Sequence, residues 1–205
     1  MWGESYHRHP MLPRHAASSL PSRRAVRQKN SRREPHPASA AMHAWLTATG
    51  SLTARLRAHG VVTVKVQRQG SQRLWADERQ ALSCRSGHVR EVVLMLDDMP
   101  VVWARSATSH RALQGTWKAL TGLGTRPLAE LLFQRRHVGR EPLRIHAMRR
   151  HGLAESRLRQ ASPLAHPRWA RSSVFWHRGQ ALRVMESFAP WIANLDAHRL
   201  HRHPA

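Results

Sequence analysis

The sequence predicts an α+β fold: a single domain in which an antiparallel β-sheet carries helices packed against it. Three observations lead there. Strand-like segments outnumber helical ones. Most of them are joined by short turns, not by the long crossovers that parallel pairing requires. And 205 residues suffice for one domain with a tail, or at most two small ones.

The elements follow in order. "AWLTA" begins a short helix, and "GSLTARLRAHG" reads as a second, with Ser51 as N-cap, Leu52 and Leu56 four apart, and Gly60 as the stop. "VVTVKVQ" (61–67) is strand-like, and "RLWA" (73–76) is expected to continue the sheet. A hairpin runs from about 88 to 106, with its turn at Asp97-Asp98-Met99-Pro100. Ser109 suits an N-cap for a helix whose Leu113, Trp117 and Leu120 form one stripe ending near Gly122. Pro127 fits the first turn of a helix over "LAELLF", where a missing N–H is harmless. Strand patterns return at 137–148, 171–177 and 181–188, the last two joined through Arg178-Gly179. No internal repeat is visible.

Both ends differ from this centre. Residues 1–40 are rich in Arg, Ser, Pro and His and show no sustained apolar period, so a disordered basic tail is expected. Their composition also resembles a transit peptide, though with a weak amphipathic pattern, and Met42 stands as an alternative start. Residues 193–205 read as a His/Arg-rich second tail, leaving 43–192 as the folded domain.

The formal net charge of +22 makes nucleic acid or an anionic membrane the first partners to consider. The positive charge is nearly all arginine, however, and is scattered, which defines no site, so no specific nucleic-acid partner is expected. No apolar run approaches the length of a membrane span. The single cysteine, Cys84, leaves no internal disulfide and suits a reducing, cytoplasmic setting.

Most chemical motifs are missing. The sequence has no phosphate-binding glycine loop, no CxxC pair and no HExxH, and the serines of "RSS" (171–173) lack a nucleophile-elbow context. His59, His88, His137, His146, His151 and His177 say little individually, and His198, His201 and His203 belong to the C-terminal tail. Trp45 and Trp117 fall on amphipathic stripes, where core packing is the simpler role than base stacking.

Two charges stand out. Side chains alternate along a strand, so Arg90 shares a face with Val92, Leu94 and Leu96, and Glu186 shares one with Leu182, Val184 and Phe188. A charge on a buried face is costly unless something pairs with it. Three explanations compete: bulges turn the charges to solvent, the two residues pair with each other, or both border a pocket for an anionic, hydroxylated small molecule.

The segments resemble, in order and spacing, the chorismate lyase family. The likeness runs from about Trp45 to Pro190, through "WLTATGSLTARLRAHG", "VREVVLMLDDMPVVWARS", "LGTRPLAELLF" and "WARSSVFWHRGQALRVMESFAP". Leu52 stands where a methionine can occur, and Ala170 replaces the first arginine of an Arg-Arg-Ser. The resemblance implies a lyase that converts chorismate to 4-hydroxybenzoate and pyruvate at the start of ubiquinone biosynthesis, without metal or organic cofactor. It implies ligand contacts at Leu52, Arg90, Leu128 and Glu186, with Arg90 and Glu186 as the catalytic pair. Arg105 is a further candidate for a second positive charge, and a monomer is expected. Two rival readings remain: a non-catalytic effector-sensing domain of the same fold, and a basic nucleic-acid-binding protein.

Overall fold

A computed structural model describes residues 38–133, 137–148, 152–161 and 169–196, all within one compact unit. The expected N-terminal tail up to residue 37, His151 and the histidines at 198, 201 and 203 lie outside the described residues.

Among the described residues, seven strands form one wholly antiparallel sheet: β1 (Val62–Arg73), β2 (Ser86–Leu96), β3 (Met99–Thr108), β4 (Gly139–Arg140), β5 (Arg144–Ala147), β6 (Trp169–His177) and β7 (Gln180–Phe188). Their spatial order is β1-β2-β3-β7-β6-β4, and β5 also pairs with β6. The α-helices that accompany them are α1 (Ala40–Thr47), α2 (Leu52–Arg57), α3 (Ala76–Leu82), α4 (His110–Gln114), α5 (Leu128–Phe133) and α6 (Leu153–Ala161). The α+β expectation therefore holds.

Local chemistry explains the boundaries. Ser39, Ser51 and Ser109 each accept a hydrogen bond from the backbone N–H three residues on, at 3.1–3.2 Å, satisfying a donor that the helix cannot. The central hairpin turns on Asp97 and Asp98, both with positive φ (46° and 62°), the twist that suits a two-residue hairpin loop. Asp97 also secures the start of β1, because its Oδ1 accepts from the N–H of Val61 at 2.8 Å. Gly60 lies so close that a Cβ there would meet Asp97 Oδ2 at 2.2 Å. Helix α2 ends earlier than the expected stop, at its C-cap Ala58, and the role of Gly60 is to admit the hairpin turn.

Two further expectations need correction, and one helix was not foreseen. Residues 73–76 do not continue the sheet beyond Arg73. Leu74 is buried, and Trp75 caps α3, its N–H donating to Glu78 Oε2 at 2.8 Å. The Ser109 helix is shorter than its stripe: α4 stops before Gly115, and a 3-10 turn over Lys118–Leu120 brings Trp117 and Leu120 into the core. Helix α6 has no counterpart among the sequence expectations. At the C-terminal end, a 3-10 turn over Pro190–Asn194 leads to Asp196, which accepts from Arg55 at 2.9 Å.

The sheet divides the interior. On one face α1, α2 and the C-terminal 3-10 turn bury Trp45, Leu56, Val92, Leu94, Phe188 and Ile192. Further along that face, Trp117, Leu120, Leu131 and Leu132 pack over Phe175, Leu182 and Val184. The opposite face carries smaller clusters around Trp103 and Met185 and around Val89 and Ala107. The two larger packing groups leave a hollow between them.

Candidate active site

That hollow is a cavity that, with the open space at its mouth, encloses about 720 Å³. The sheet forms its floor, and α2 and the start of α5 contribute walls. Leu52, Arg90, Leu128 and Glu186, drawn from α2, β2, α5 and β7, all border it.

Sheet register explains the convergence. Arg90 pairs with Ser106, Ser106 with Val184, and Val184 with Ser173, forming one row across four strands. The next row is Val92, Ala104, Glu186 and Arg171. Side chains in both rows point to the same face. Arg90 and Glu186 are therefore two strands and one diagonal step apart, roughly 12 Å between backbones on ordinary sheet spacings.

Each sequence-level explanation for the two charges can now be judged. Bulges exist between Val66 and Arg68, in β1 opposite Val92 and Glu91, and between Leu94 and Met95, but the β2–β3 and β3–β7 ladders are unbroken at Arg90 and Glu186. The two residues do not pair with each other. Glu186 Oε2 accepts from Arg171 Nε at 2.6 Å, and the Glu186 side chain keeps 18% of its surface exposed. Arg90 is 2% exposed. Its Nη2 donates to the carbonyls of Gly124 and Arg126 at 2.8 and 3.0 Å, while its Nε has no partner among the described residues.

Arg90 is thus a buried cation that faces carbonyls and no carboxylate among the described residues. Burial pushes its pKa down to about 10, still well above neutrality. Such a group stays charged and lacks a counterion, which suits it to an anionic ligand. Its two carbonyl partners lie in the loop that leads through Pro127 into α5, so Arg90 also fixes the approach to Leu128. The first N–H groups of a helix have no intrahelical acceptor and are available to an anion.

The cavity also contains residues that sequence reasoning did not single out. Arg171 is 1% exposed and donates through Nη1 to the carbonyls of Trp45 and Ala48, at 3.1 and 2.7 Å, besides holding Glu186. The signal was present, because Arg171 shares its strand face with Ser173 and Phe175, as Arg90 does with Val92. Arg140 also borders the cavity. It sits in a two-residue strand with no alternation to read.

Arg105 must be reassigned. It is 3% exposed and does not border the cavity. Its guanidinium donates to Glu78 through Nε and Nη2 at 2.6 and 2.9 Å and to Glu91 through Nη1 at 2.5 Å, and it lies 4.0 Å from the Trp75 ring centroid. Odd numbering on β3 places it opposite Ala104 and Ser106, so it holds α3 to the back of the sheet. Ala170 likewise belongs to the back-face cluster of Trp103 and Met185, and Arg171 beside it is the arginine that reaches the cavity.

The sequence matches the family model "Chorismate lyase" over residues 23–194. A probable chorismate pyruvate-lyase of Azoarcus sp. (strain BH72) is 42% identical over 172 residues, covering 80% of this chain and 91% of that protein. Another, from Albidiferax ferrireducens, is 42% identical over 163 residues, covering 72% of this chain and 82% of its own. Among solved structures, a GntR-family transcriptional regulator from Bacillus cereus aligns with a TM-score of 0.47 at 9% identity, over 63% of this chain and 92% of that one. The chain belongs to the chorismate lyase family. The protein is an enzyme.

Proposed function

We propose that this enzyme eliminates pyruvate from chorismate to give 4-hydroxybenzoate, supplying the aromatic ring for ubiquinone biosynthesis. The observation that carries this reading is the pair of Arg90, buried without a counterion, and Glu186, partly open, across one largely apolar cavity.

In the reaction the ether C–O bond to the enolpyruvyl side chain breaks and the hydroxyl-bearing ring carbon loses its hydrogen. The side-chain methylene carbon gains one, which makes the methyl group of pyruvate, and the ring becomes aromatic. Aromatisation supplies the driving force, so the protein has mainly to hold a reactive geometry and exclude water. In this reading Arg90 grips the ring carboxylate with charge-assisted hydrogen bonds that its carbonyl partners leave available. The Leu128 N–H adds a donor from the first turn of α5. Glu186 accepts from the ring hydroxyl, oriented by its bond to Arg171. Leu52 closes the cavity as an apolar wall. No resident metal or organic cofactor takes part.

Cys84, unpaired, supports a reducing, cytoplasmic setting. None of the helices among the described residues is long and apolar enough to cross a membrane.

Incubating the purified protein with chorismate tests the reading. Equimolar 4-hydroxybenzoate and pyruvate are expected. Binding of chorismate without turnover would instead indicate an effector-sensing domain, and salt-sensitive polyanion binding with no affinity for chorismate a nucleic-acid-binding role.

A further inference from the structure

The charges around the cavity do not balance. Its lining includes Arg90, Arg140, Arg171 and Glu186. The ion pair between Arg171 and Glu186, at 2.6 Å, removes one charge of each sign. Arg90 faces only carbonyl oxygens. Arg140 donates through Nε to Ser173 Oγ at 3.3 Å and lies 5.0 Å from the Phe175 ring centroid, with no carboxylate in ion-pair contact among the described residues. Burial is the largest influence on Arg140 and opposes its charge; Glu186 nearby supports the charge, and Arg171 opposes it.

Among the described residues, two cations without direct counterions therefore border one largely apolar cavity, a distribution that is unfavourable when empty and suited to a dianion. Their placement separates them. Arg90 stands on β2, and Arg140 on β4 reaches Ser173, the other end of the same cross-strand row. Three strand spacings, roughly 14 Å between backbones, lie between the row's ends. The two guanidinium groups thus approach a ligand from opposite sides.

We propose that Arg140 is a specificity-determining residue that binds the second carboxylate of chorismate, the one that departs with pyruvate. This rests on the chorismate reading above. Arg90 holds the carboxylate that the substrate and 4-hydroxybenzoate share, whereas Arg140 holds the one that only the substrate has. After elimination the carboxylate on Arg140 is no longer tethered to the ring, so pyruvate can leave independently. Competing monocarboxylates lack a partner for Arg140, which leaves that cation uncompensated and disfavours them.

Turnover of chorismate and equilibrium binding of 4-hydroxybenzoate, measured side by side, test the proposal. In the full chain, Arg140→Gln should lower kcat/KM for chorismate by about 30-fold or more, the usual order for losing a desolvated charge partner, while the Kd for 4-hydroxybenzoate changes less than about threefold. Arg140→Lys, which keeps the charge but not the planar fork, should fall between wild type and Arg140→Gln for chorismate and leave 4-hydroxybenzoate binding unchanged. It carries the same comparison should Arg140→Gln fold poorly. Equal losses for both ligands, or an unaffected kcat/KM, would overturn the assignment. Wild-type protein inert toward chorismate and 4-hydroxybenzoate alike would overturn the chorismate reading itself, and the role of Arg140 with it.

Discussion

Arg171 Nε donates to Glu186 Oε2 across 2.6 Å, while Nη1 of the same guanidinium donates to the carbonyls of Trp45 and Ala48 at the end of α1. One buried side chain thus ties a helix to the sheet and sets the orientation of the carboxylate that borders the cavity. Glu186 is held at one oxygen, and the other is available to a ligand hydroxyl.

Removing either partner should have a distinct effect. Arg171→Ala leaves two helix-end carbonyls and a carboxylate without their donor, and should destabilise the fold by about 3–5 kcal/mol in chemical denaturation. Glu186→Gln retains shape and some hydrogen bonding, so turnover should fall further than stability does. Intact turnover with a large loss of stability in Glu186→Gln would make the pair purely structural.

Arg90 presents the opposite balance. As a buried cation without a counterion, it should contribute little to the stability of the empty protein. Arg90→Met removes a buried charge but leaves the Gly124 and Arg126 carbonyls without their donor, so its melting temperature should stay close to that of wild type. The same substitution should weaken binding of chorismate and of 4-hydroxybenzoate by about 2–5 kcal/mol. A marked drop in Tm with ligand binding intact would assign Arg90 to the core instead.

Arg105 should behave in the reverse sense to Arg90. Glu78 and Glu91 lose their shared cation in Arg105→Ala, at a cost of about 3–5 kcal/mol, since both carboxylates are buried. The folded fraction should keep its kcat/KM. Selective loss of chorismate turnover without destabilisation would return Arg105 to the site.

Acid should weaken the fold through buried His88 and half-buried His146. Burial, first of all, holds His88 below the ordinary histidine range, helped by His110; burial also lowers His146, with Arg183 and Arg144 adding to it and Asp77 opposing. A histidine with a depressed folded value stays neutral while the unfolded chain takes up a proton near pH 6.5. The stability this provides is fully present above about pH 6.5 and is lost as pH falls through the folded values. The urea midpoint should therefore drop between about pH 7.5 and about pH 5, and His88→Leu should reduce the drop. An identical drop in that variant would remove His88 from the account.

Alternation made the floor of the site readable from sequence. Each central strand carries one face into the cavity, so Arg90 and Glu186 stood out wherever the period of two was unbroken, and serines at helix starts marked the caps. Two kinds of feature escaped. Helix α3 was hidden because Leu74 and Trp75 imitate a strand end, and the cap is a backbone N–H met by Glu78, not a serine or threonine side chain. The partners of the charges were also hidden. Arg105 and Arg90 sit on neighbouring strands but on opposite faces of the sheet, and the hairpin's register shift between Leu94 and Met95, which sets those faces, could not be read from the sequence. Arg140, in a strand too short to have a period, gave no signal.

The most direct test is a crystal structure of the protein with 4-hydroxybenzoate. The ring is expected between Leu52 and the sheet, with its carboxylate on Arg90 beside the Leu128 N–H and its hydroxyl on Glu186. Ligand density outside this cavity, or a ring reversed so that its carboxylate meets neither Arg90 nor Leu128, would contradict this placement.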